Sequence, residues 1–400
     1  MDAKRAKTGV VRATTTAPVN IAVIKYWGKR DTKLLLPINS SLSGTLDQEQ
    51  LHARTTVAAS SSFEADEIWL NGKQEDISNQ RLQNVLGAVR ALAAKKDPEH
   101  PLKDAHIKIA SVNNFPTAAG LASSAAGYAC LVAALAELFG VQDQELTAIA
   151  RVGSGSACRS LMGGFVRWEK GTRDDGADSL ASQVVPESHW PDMQVLILVV
   201  NAGKKGVSST SGMQSTVKTS ALINHRAEVV VPQRMKDIEK AIQDRDFQTF
   251  GRITMQDSNQ FHATCLDTYP PIFYMNDVSR QIVQILTQYN DAAGEIRAAY
   301  TYDAGPNCVI YCLKQHVQEI LSLVCHYFPS SESEFVRGRS TTASDYSSTV
   351  DAAVREKISG PTTADGVKYI LHTGIGPGPK TLTNEDAFLI AEDGSVKQQA

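Results

Sequence analysis

The most constraining stretch of the chain lies between His106 and Leu138. A short β-prone segment, His106 to Val112, runs into Asn113-Asn-Phe-Pro-Thr-Ala-Ala-Gly120, and Leu121 to Leu138 follows, rich in Ala, Leu and Ser. A helix apolar nearly all round belongs inside a protein, because no face of it is suited to water. The order strand, small-residue loop, buried helix therefore demands other elements to cover it. A chain of 400 residues can supply them, being long enough for two or three domains at ~100–200 residues each, or for two that share one large core.

The rest of the chain alternates in the same way. Val11 to Lys25 reads as extended, with an interruption at Pro18, and Ile68-Trp69-Leu70 before Asn71-Gly72 reads as one arm of a hairpin. After Asn79, a candidate N-cap, Leu82, Val85, Leu86, Val89, Leu92 and Ala93 recur at helical spacing until Lys95-Lys96 and Pro98 close the segment. Asp143 can cap a helix over Glu145 to Arg151, which leads into a second small-residue loop, Gly153-Ser-Gly-Ser156. Past Trp190-Pro191 a strand spans Gln194 to Asn201. Helical stretches then cover Ala221 to Ile242, Phe247 to Ala263 and Val278 to Tyr289. The chain ends as strand (Val309 to Leu313), helix (Val317 to Tyr327), polar insertion (Ser330 to Ser348) and strand (Val367 to His372). Strands and helices mixed so irregularly favour two α+β domains, 1–190 and 191–400, over a sandwich or a barrel.

Charge and cysteine usage exclude several function classes. Forty Lys+Arg against 43 Asp+Glu leave a net charge of -3, so there is no global positive field to hold a nucleic acid. The longest purely apolar run, Val195 to Val200, falls far short of the ~20 residues that span a bilayer, and Met1 to Thr16 has no apolar signal segment. The six cysteines form no Cys-x-x-Cys pair and no regular framework, which fits reduced thiols in a core. These features point to a cytoplasmic protein with neither a nucleic-acid nor a membrane partner.

Four segments can carry chemistry, each with a plainer alternative. Phe115 to Ala126 brings small residues and the hydroxyls of Ser123 and Ser124 to a helix start, where unpaired N–H groups attract phosphate, although tight helix packing uses the same residues. It is not a Walker A loop. Gly153 to Ser160 adds hydroxyls and Arg159, whose planar fork suits a carboxylate or phosphate, or which caps an ordinary turn. Ala17 to Asp31 leads apolar residues directly into Lys25, Tyr26, Trp27, Lys29 and Arg30. Lys25 is costly to bury without an anion, unless it snorkels to the surface. Asp303, within Tyr300 to Asn307, is either a catalytic carboxylate or an Asx-turn former. The His262-Ala-Thr-Cys265 pair reads as helix packing rather than a metal site, and no metal-ligating residues can be assigned.

Taken together, these segments resemble one family, the mevalonate diphosphate decarboxylases of the GHMP kinase superfamily. The resemblance is carried by Ala17 to Asp31, Pro37-Ile-Asn-Ser-Ser-Leu42, Asn113 to Gly127, Gly153 to Ser160, Asp257 to Asp267 and Tyr302-Asp-Ala-Gly-Pro-Asn307, and it covers roughly residues 12 to 380. The chain departs from the family's pattern at Cys308 and at Gly44, where a small or branched apolar residue is more usual. The resemblance implies a GHMP-kinase-like two-domain α+β architecture with the active-site cleft between the domains, and a homodimer. The implied substrates are ATP, with Mg²⁺, and (R)-5-diphosphomevalonate. The implied product is isopentenyl diphosphate, the precursor of isoprenoids and sterols.

The same resemblance assigns residues. Asp303, Arg159, Lys25 and Ser124 are the catalytic candidates: Asp303 orients the 3-hydroxyl and accepts its proton, and Arg159 holds the carboxylate. Substrate contacts fall to Asn20, Tyr26, Trp27, Gly28, Lys29, Arg81, Ser154, Gly155, Ser156, Ala157, Cys158, Arg159 and Thr210. ATP contacts fall to Pro116, Ala119, Gly120, Leu121, Ser123, Ser124 and Ser156. Two alternatives remain open: a small-molecule kinase of the same superfamily that stops at the phosphorylated product, and a silent binding protein that keeps the fold.

Overall fold

The computed structural model describes residues 9–115, 123–200, 206–339, 350 and 352–397. The extended stretch at the start divides at Pro18 into Val11–Pro18 and Asn20–Ile24, which belong to different sheets. Proline has no N–H with which to extend a ladder. Beyond it the Val19 carbonyl accepts instead from the Leu46 N–H, and the chain crosses to the second sheet.

Three larger sheets organise the molecule. The first has six strands in the order Lys380–Leu382, Val11–Pro18, His52–Ser60, His106–Asn113, Glu67–Leu70 and Lys73–Glu75. Its last two strands form the expected hairpin, with Asn71 and Gly72 both at positive φ, as a two-residue turn of that twist requires. The second sheet runs Ala181–Val185, Phe165–Trp168, Ser41–Thr45, Asn20–Ile24. The third runs Ala298–Tyr302, Cys308–Leu313, Met193–Val199, Tyr369–Gly374, Val336–Gly338. The polar insertion thus contains a short strand, Val336–Gly338, parallel to Tyr369–Gly374. Its single apolar residue, Val336, is too little for a period to register.

The helix Ser123–Phe139 packs across Val11–Pro18 and His52–Ser60, and most of its length is buried, as its composition requires. Gln80–Lys96 buries the six apolar residues that recur at helical spacing and is capped by Asn79 Oδ1, which accepts the Arg81 N–H at 3.0 Å. Before Glu145–Gly153 the N-cap position falls to Gln144, which makes no side-chain cap, and the expected Asp143 stands one residue earlier, its Oδ1 accepting the Glu145 N–H at 2.9 Å. The run Val195 to Val200 is apolar without alternation because both faces of its strand are covered. Val195, Ile197 and Val199 join the core shared with the first half, and Leu196, Leu198 and Val200 join a second core under Asp277–Ala293 and Val317–Tyr327. Burying each such side chain contributes roughly 1.5–3 kcal/mol.

Two further details bear on the site. The stretch Ala221 to Ile242 is not one regular helix; a π-helical turn, Arg226–Val230, interrupts it. At the other end, Lys380–Leu382 returns to pair with Val11–Pro18, and Arg12 donates to the Ile390 carbonyl and pairs with Glu385, so the last residues pack on the first half. Gly44 has a local reason: a Cβ there would lie 2.9 Å from the Tyr311 hydroxyl, which donates to the Ile21 carbonyl at 2.8 Å and ties the second and third sheets together.

Candidate active site

The strand Asn20–Ile24 is wholly buried, so its continuation delivers Lys25 into the interior rather than to the surface. Lys25 is 3% exposed, and its Nζ lies 2.7 Å from Oδ1 of Asp303, which follows directly on the strand Ala298–Tyr302. The two residues are 278 positions apart. A buried ammonium needs an anion, and the carboxylate proposed for chemistry is the one that meets it.

Arg159 lies in the 3₁₀ turn Gly155–Leu161 and is fully buried. Its Nε donates to Ser43 Oγ at 2.9 Å, Nη1 to Ser41 Oγ at 2.6 Å and Nη2 to Asn20 Oδ1 at 3.2 Å, and its guanidinium stacks 5.7 Å over the Trp168 ring. None of these partners is an anion. Burial disfavours the charged form and lowers the Arg159 pKa, a penalty that a bound carboxylate or phosphate would relieve.

A cleft of about 440 Å³ opens between residues of the first half and residues of the second. Lys25, Asp303, Arg159, Asn20, Tyr26, Trp27, Lys29, Arg81, Ser123, Ser124, Ser154, Gly155, Ser156 and Thr210 all line it. Half-buried Lys29 has its pKa pulled down to about 8, first by loss of solvent and then by the nearby Arg81 guanidinium. Among the described residues no carboxylate pairs with either cation. Ser124 Oγ and Ser154 Oγ stand 3.3 Å apart at the junction of the two small-residue segments.

Other candidates take different places. Gly28, at positive φ, is packed against Ile38 and Val217 and shapes the turn after Trp27, so it does not line the cleft. Ala157 and Cys158 are buried behind it. The Cys158 thiol donates to the Gly155 carbonyl at 3.1 Å, and burial pushes its pKa up to about 12. Asn20 reaches the cleft with its amide already engaged, donating to the Ser156 carbonyl and Ser160 Oγ and accepting from Arg159. The Trp27 indole N–H is likewise committed, to Thr216 Oγ1 at 2.9 Å. Pro116, Ala119, Gly120 and Leu121 lie outside the described residues. A second cavity, about 340 Å³, adjoins the cleft through Ser123 and Ser124; Ile68, Leu70, Leu82, Ile109, Tyr128 and Leu131 give it an apolar wall, and Asn71, Glu75, Asp76, Asn79, Ser111 and Asn113 add polar groups.

Several lining residues escape sequence reasoning. Ser208 and Ser209 precede Thr210 at the start of Ser209–Thr219, where a run of hydroxyls at a helix start was the available signal. Phe261, Met213 and Ala304 supply an apolar wall; Phe261 and Ala304 lie in segments that carry the resemblance but without an assigned role, and Met213 lies in none. His262 packs its ring against Phe261 and Tyr302, as a helix-packing residue does. Burial and then Lys25 hold its pKa down to about 4, so it is neutral.

Two family descriptions divide the chain between them. Residues 17–181 match the diphosphomevalonate decarboxylase-like N-terminal domain, and residues 195–382 match the mevalonate 5-diphosphate decarboxylase C-terminal domain. The chain belongs to the mevalonate diphosphate decarboxylase family. A diphosphomevalonate decarboxylase of Danio rerio is 53% identical over 392 residues, covering 97% of each chain. The crystal structure of a mevalonate 5-diphosphate decarboxylase superposes with a TM-score of 0.83 at 45% identity, over 95% of this chain and 98% of that one. A complex of MDDEF with MVAPP, AMPPCP and magnesium superposes with a TM-score of 0.72 at 29% identity, over 94% and 100%. The fold is therefore the two-domain α+β arrangement of this decarboxylase family. Among the described residues no group of three or more His, Cys, Asp or Glu is placed to hold a metal ion, and no helix is long and apolar enough to cross a membrane.

Proposed function

We infer that the chain catalyses the ATP-dependent decarboxylation of (R)-5-diphosphomevalonate to isopentenyl diphosphate, CO₂, ADP and phosphate. The observation that carries this reading is the Lys25–Asp303 pair, 2.7 Å apart, in one cleft with Arg159 and the carboxylate-free cations Lys29 and Arg81. The substrate's three reactive groups, a tertiary alcohol, a carboxylate and a diphosphate, have chemically matched counterparts in that set.

Hydroxide is too poor a leaving group for direct elimination, so the alcohol must first be phosphorylated. Asp303 accepts a hydrogen bond from the 3-hydroxyl and takes up its proton as the oxygen attacks the γ-phosphorus, the bond from that phosphorus to the bridging oxygen breaks, and ADP leaves with its electrons. Lys25, Ser124 and Ser123 offset the charge that spreads over the transferred phosphoryl group, because this chemistry is mostly alignment and charge stabilisation. The C3–O bond then breaks and phosphate leaves with its electrons. Positive charge develops at C3 beside Asp303, and the electrons of the bond to the carboxylate, held by Arg159, become the new double bond as CO₂ departs. Lys29, Arg81, Thr210 and the Ser154 to Ser156 segment hold the diphosphate. The neighbouring cavity, with its apolar wall, suits a nucleoside, which would place the triphosphate of ATP at Ser123 and Ser124.

Mg²⁺ fits this donor set: a hard cation that keeps several waters needs only one or two protein oxygens beside the phosphates, and Ser123, Ser124 and Asp303 present oxygens to the cleft. When bound, it neutralises phosphate charge. We further read the chain as a cytoplasmic homodimer serving isoprenoid and sterol precursor supply. The exposed Tyr269 and Phe273 offer apolar surface for a second copy. The decisive experiment incubates the chain with ATP, Mg²⁺ and 5-diphosphomevalonate and follows CO₂ and inorganic phosphate. Equal release of both with ADP is expected; a persisting phosphorylated acid without CO₂ would make it a kinase.

A further inference from the structure

One buried charge cluster is unused by the chemistry above. Asp257, within the helix Phe247–Asp267, and Arg226, in the π-helical turn, have no exposed side-chain surface and pair at two points, Nη1 to Oδ1 and Nη2 to Oδ2, both at 2.8 Å. Arg234 adds a third bond to Oδ1 at 3.0 Å. Burial alone would push the Asp257 carboxyl up; Arg226, the Lys25 N–H and Arg234 together outweigh it and hold it below the usual carboxylate range.

What this cluster grips is the main chain of Lys25. The Lys25 N–H donates to Asp257 Oδ2 at 2.7 Å, and the Lys25 carbonyl accepts from Arg226 Nη2 at 3.2 Å and from Asn39 Nδ2 at 3.0 Å. These are the first backbone groups beyond the strand Asn20–Ile24, where ladder pairing has ended and buried groups need other partners. Neutral side chains would satisfy them. A buried ion pair is a costly way to do so and adds little net stability over an apolar replacement, but its fork holds both peptide groups of one residue in fixed directions. That residue carries the ammonium that meets Asp303. The π-helical turn, a device often found at functional sites, is the element that presents Arg226.

We propose that Arg226 and Asp257 are positioning residues for phosphoryl transfer, fixing the backbone of Lys25 so that its ammonium stays on Asp303 and the transferred phosphate. The proposal rests on the catalytic reading of Lys25, and its test separates the two. Steady-state kinetics with ATP, Mg²⁺ and 5-diphosphomevalonate are measured for Asp257→Asn, Lys25→Met and the double variant of the full chain. Asp257→Asn should lower kcat about tenfold or more with both KM values within about threefold, the pattern expected when a reacting group is misplaced while the groups that bind the ligands stay intact. On the Lys25→Met background the same change should alter kcat by less than about twofold, because its effect passes through the missing ammonium. An equal loss on both backgrounds overturns the proposal, as does a lowered thermal midpoint with kcat intact. Lys25→Met turning over like the unaltered chain would instead overturn the reading of Lys25, and the proposal with it. If Asp257→Asn does not fold, Arg226→Lys, which keeps a cation but loses the fork, is read through the same cycle; failure of both to fold marks the pair as a stability element and ends the proposal.

Discussion

In the deep part of the cleft Lys25 is already matched to Asp303 and Arg159 has three donors engaged, whereas in the outer part Lys29 and Arg81 stand close together with no carboxylate among the described residues to balance them. The deep groups are organised before any ligand arrives, so they need little rearrangement during the reaction, which is where electrostatic preorganisation has its value. The outer groups repel one another until an anion enters, so their charge favours binding. The difference separates two kinds of measurement: damage in the deep part should appear in kcat, and damage in the outer part in kcat/KM.

Asp303→Asn is the strongest way to break this division. It keeps shape and hydrogen-bonding capacity but removes the charge and the proton acceptor, so kcat should fall by roughly 10² or more while the affinity for both substrates stays within a few-fold. Near-normal turnover would take Asp303 out of the mechanism. Arg159→Lys comes next. The ammonium cannot reach Ser41, Ser43 and Asn20 together and still present a fork to the substrate carboxylate, and losing charge-assisted hydrogen bonds of about 1.5–3 kcal/mol predicts a drop of roughly 10–100-fold in kcat, carried into kcat/KM with little change in KM. An unchanged value would refute the clamp.

The outer part is sharpened by pH. Lys29 in the free protein has its pKa lowered to about 8, so its ammonium is lost as the pH rises through that value, and a bound diphosphate, which favours the charged form, moves the transition upward. A plot of kcat/KM for 5-diphosphomevalonate should therefore decline above about pH 8, by about threefold to tenfold at pH 9, while kcat declines only at higher pH. Lys29→Arg, whose charge persists, should shift the limb out of range. A limb that stays in place in that variant belongs to another group.

Legibility from the sequence follows the range of the interactions involved. The cap at Asn79, the hairpin at Asn71-Gly72 and the apolar face of Gln80–Lys96 are local, and residues within one turn of each other announce them. The break at Arg226–Val230 is not local: it gives Arg226 its place on Asp257, a demand from elsewhere in the fold that helical periodicity does not record. Gly28, Ala157 and Cys158 show the opposite limit. They belong to segments that carry the chemistry, yet they serve as packing behind residues that face the cleft, because alternate positions of a tight turn cannot all point one way.

The chain by itself determined that one small-residue segment precedes a helix that must be buried, that a second closes another helix, and that Lys25 stands where charge is expensive; these are properties of neighbours in sequence, governed by period, capping and solvation. Only the tertiary structure decided that Lys25 meets Asp303, that Asp257 and Arg226 hold the Lys25 backbone, and that Lys29 and Arg81 go without a carboxylate. Those pairings join residues up to 278 positions apart, and it is the stacking of three sheets around shared cores, not any local preference, that brings them within hydrogen-bond reach.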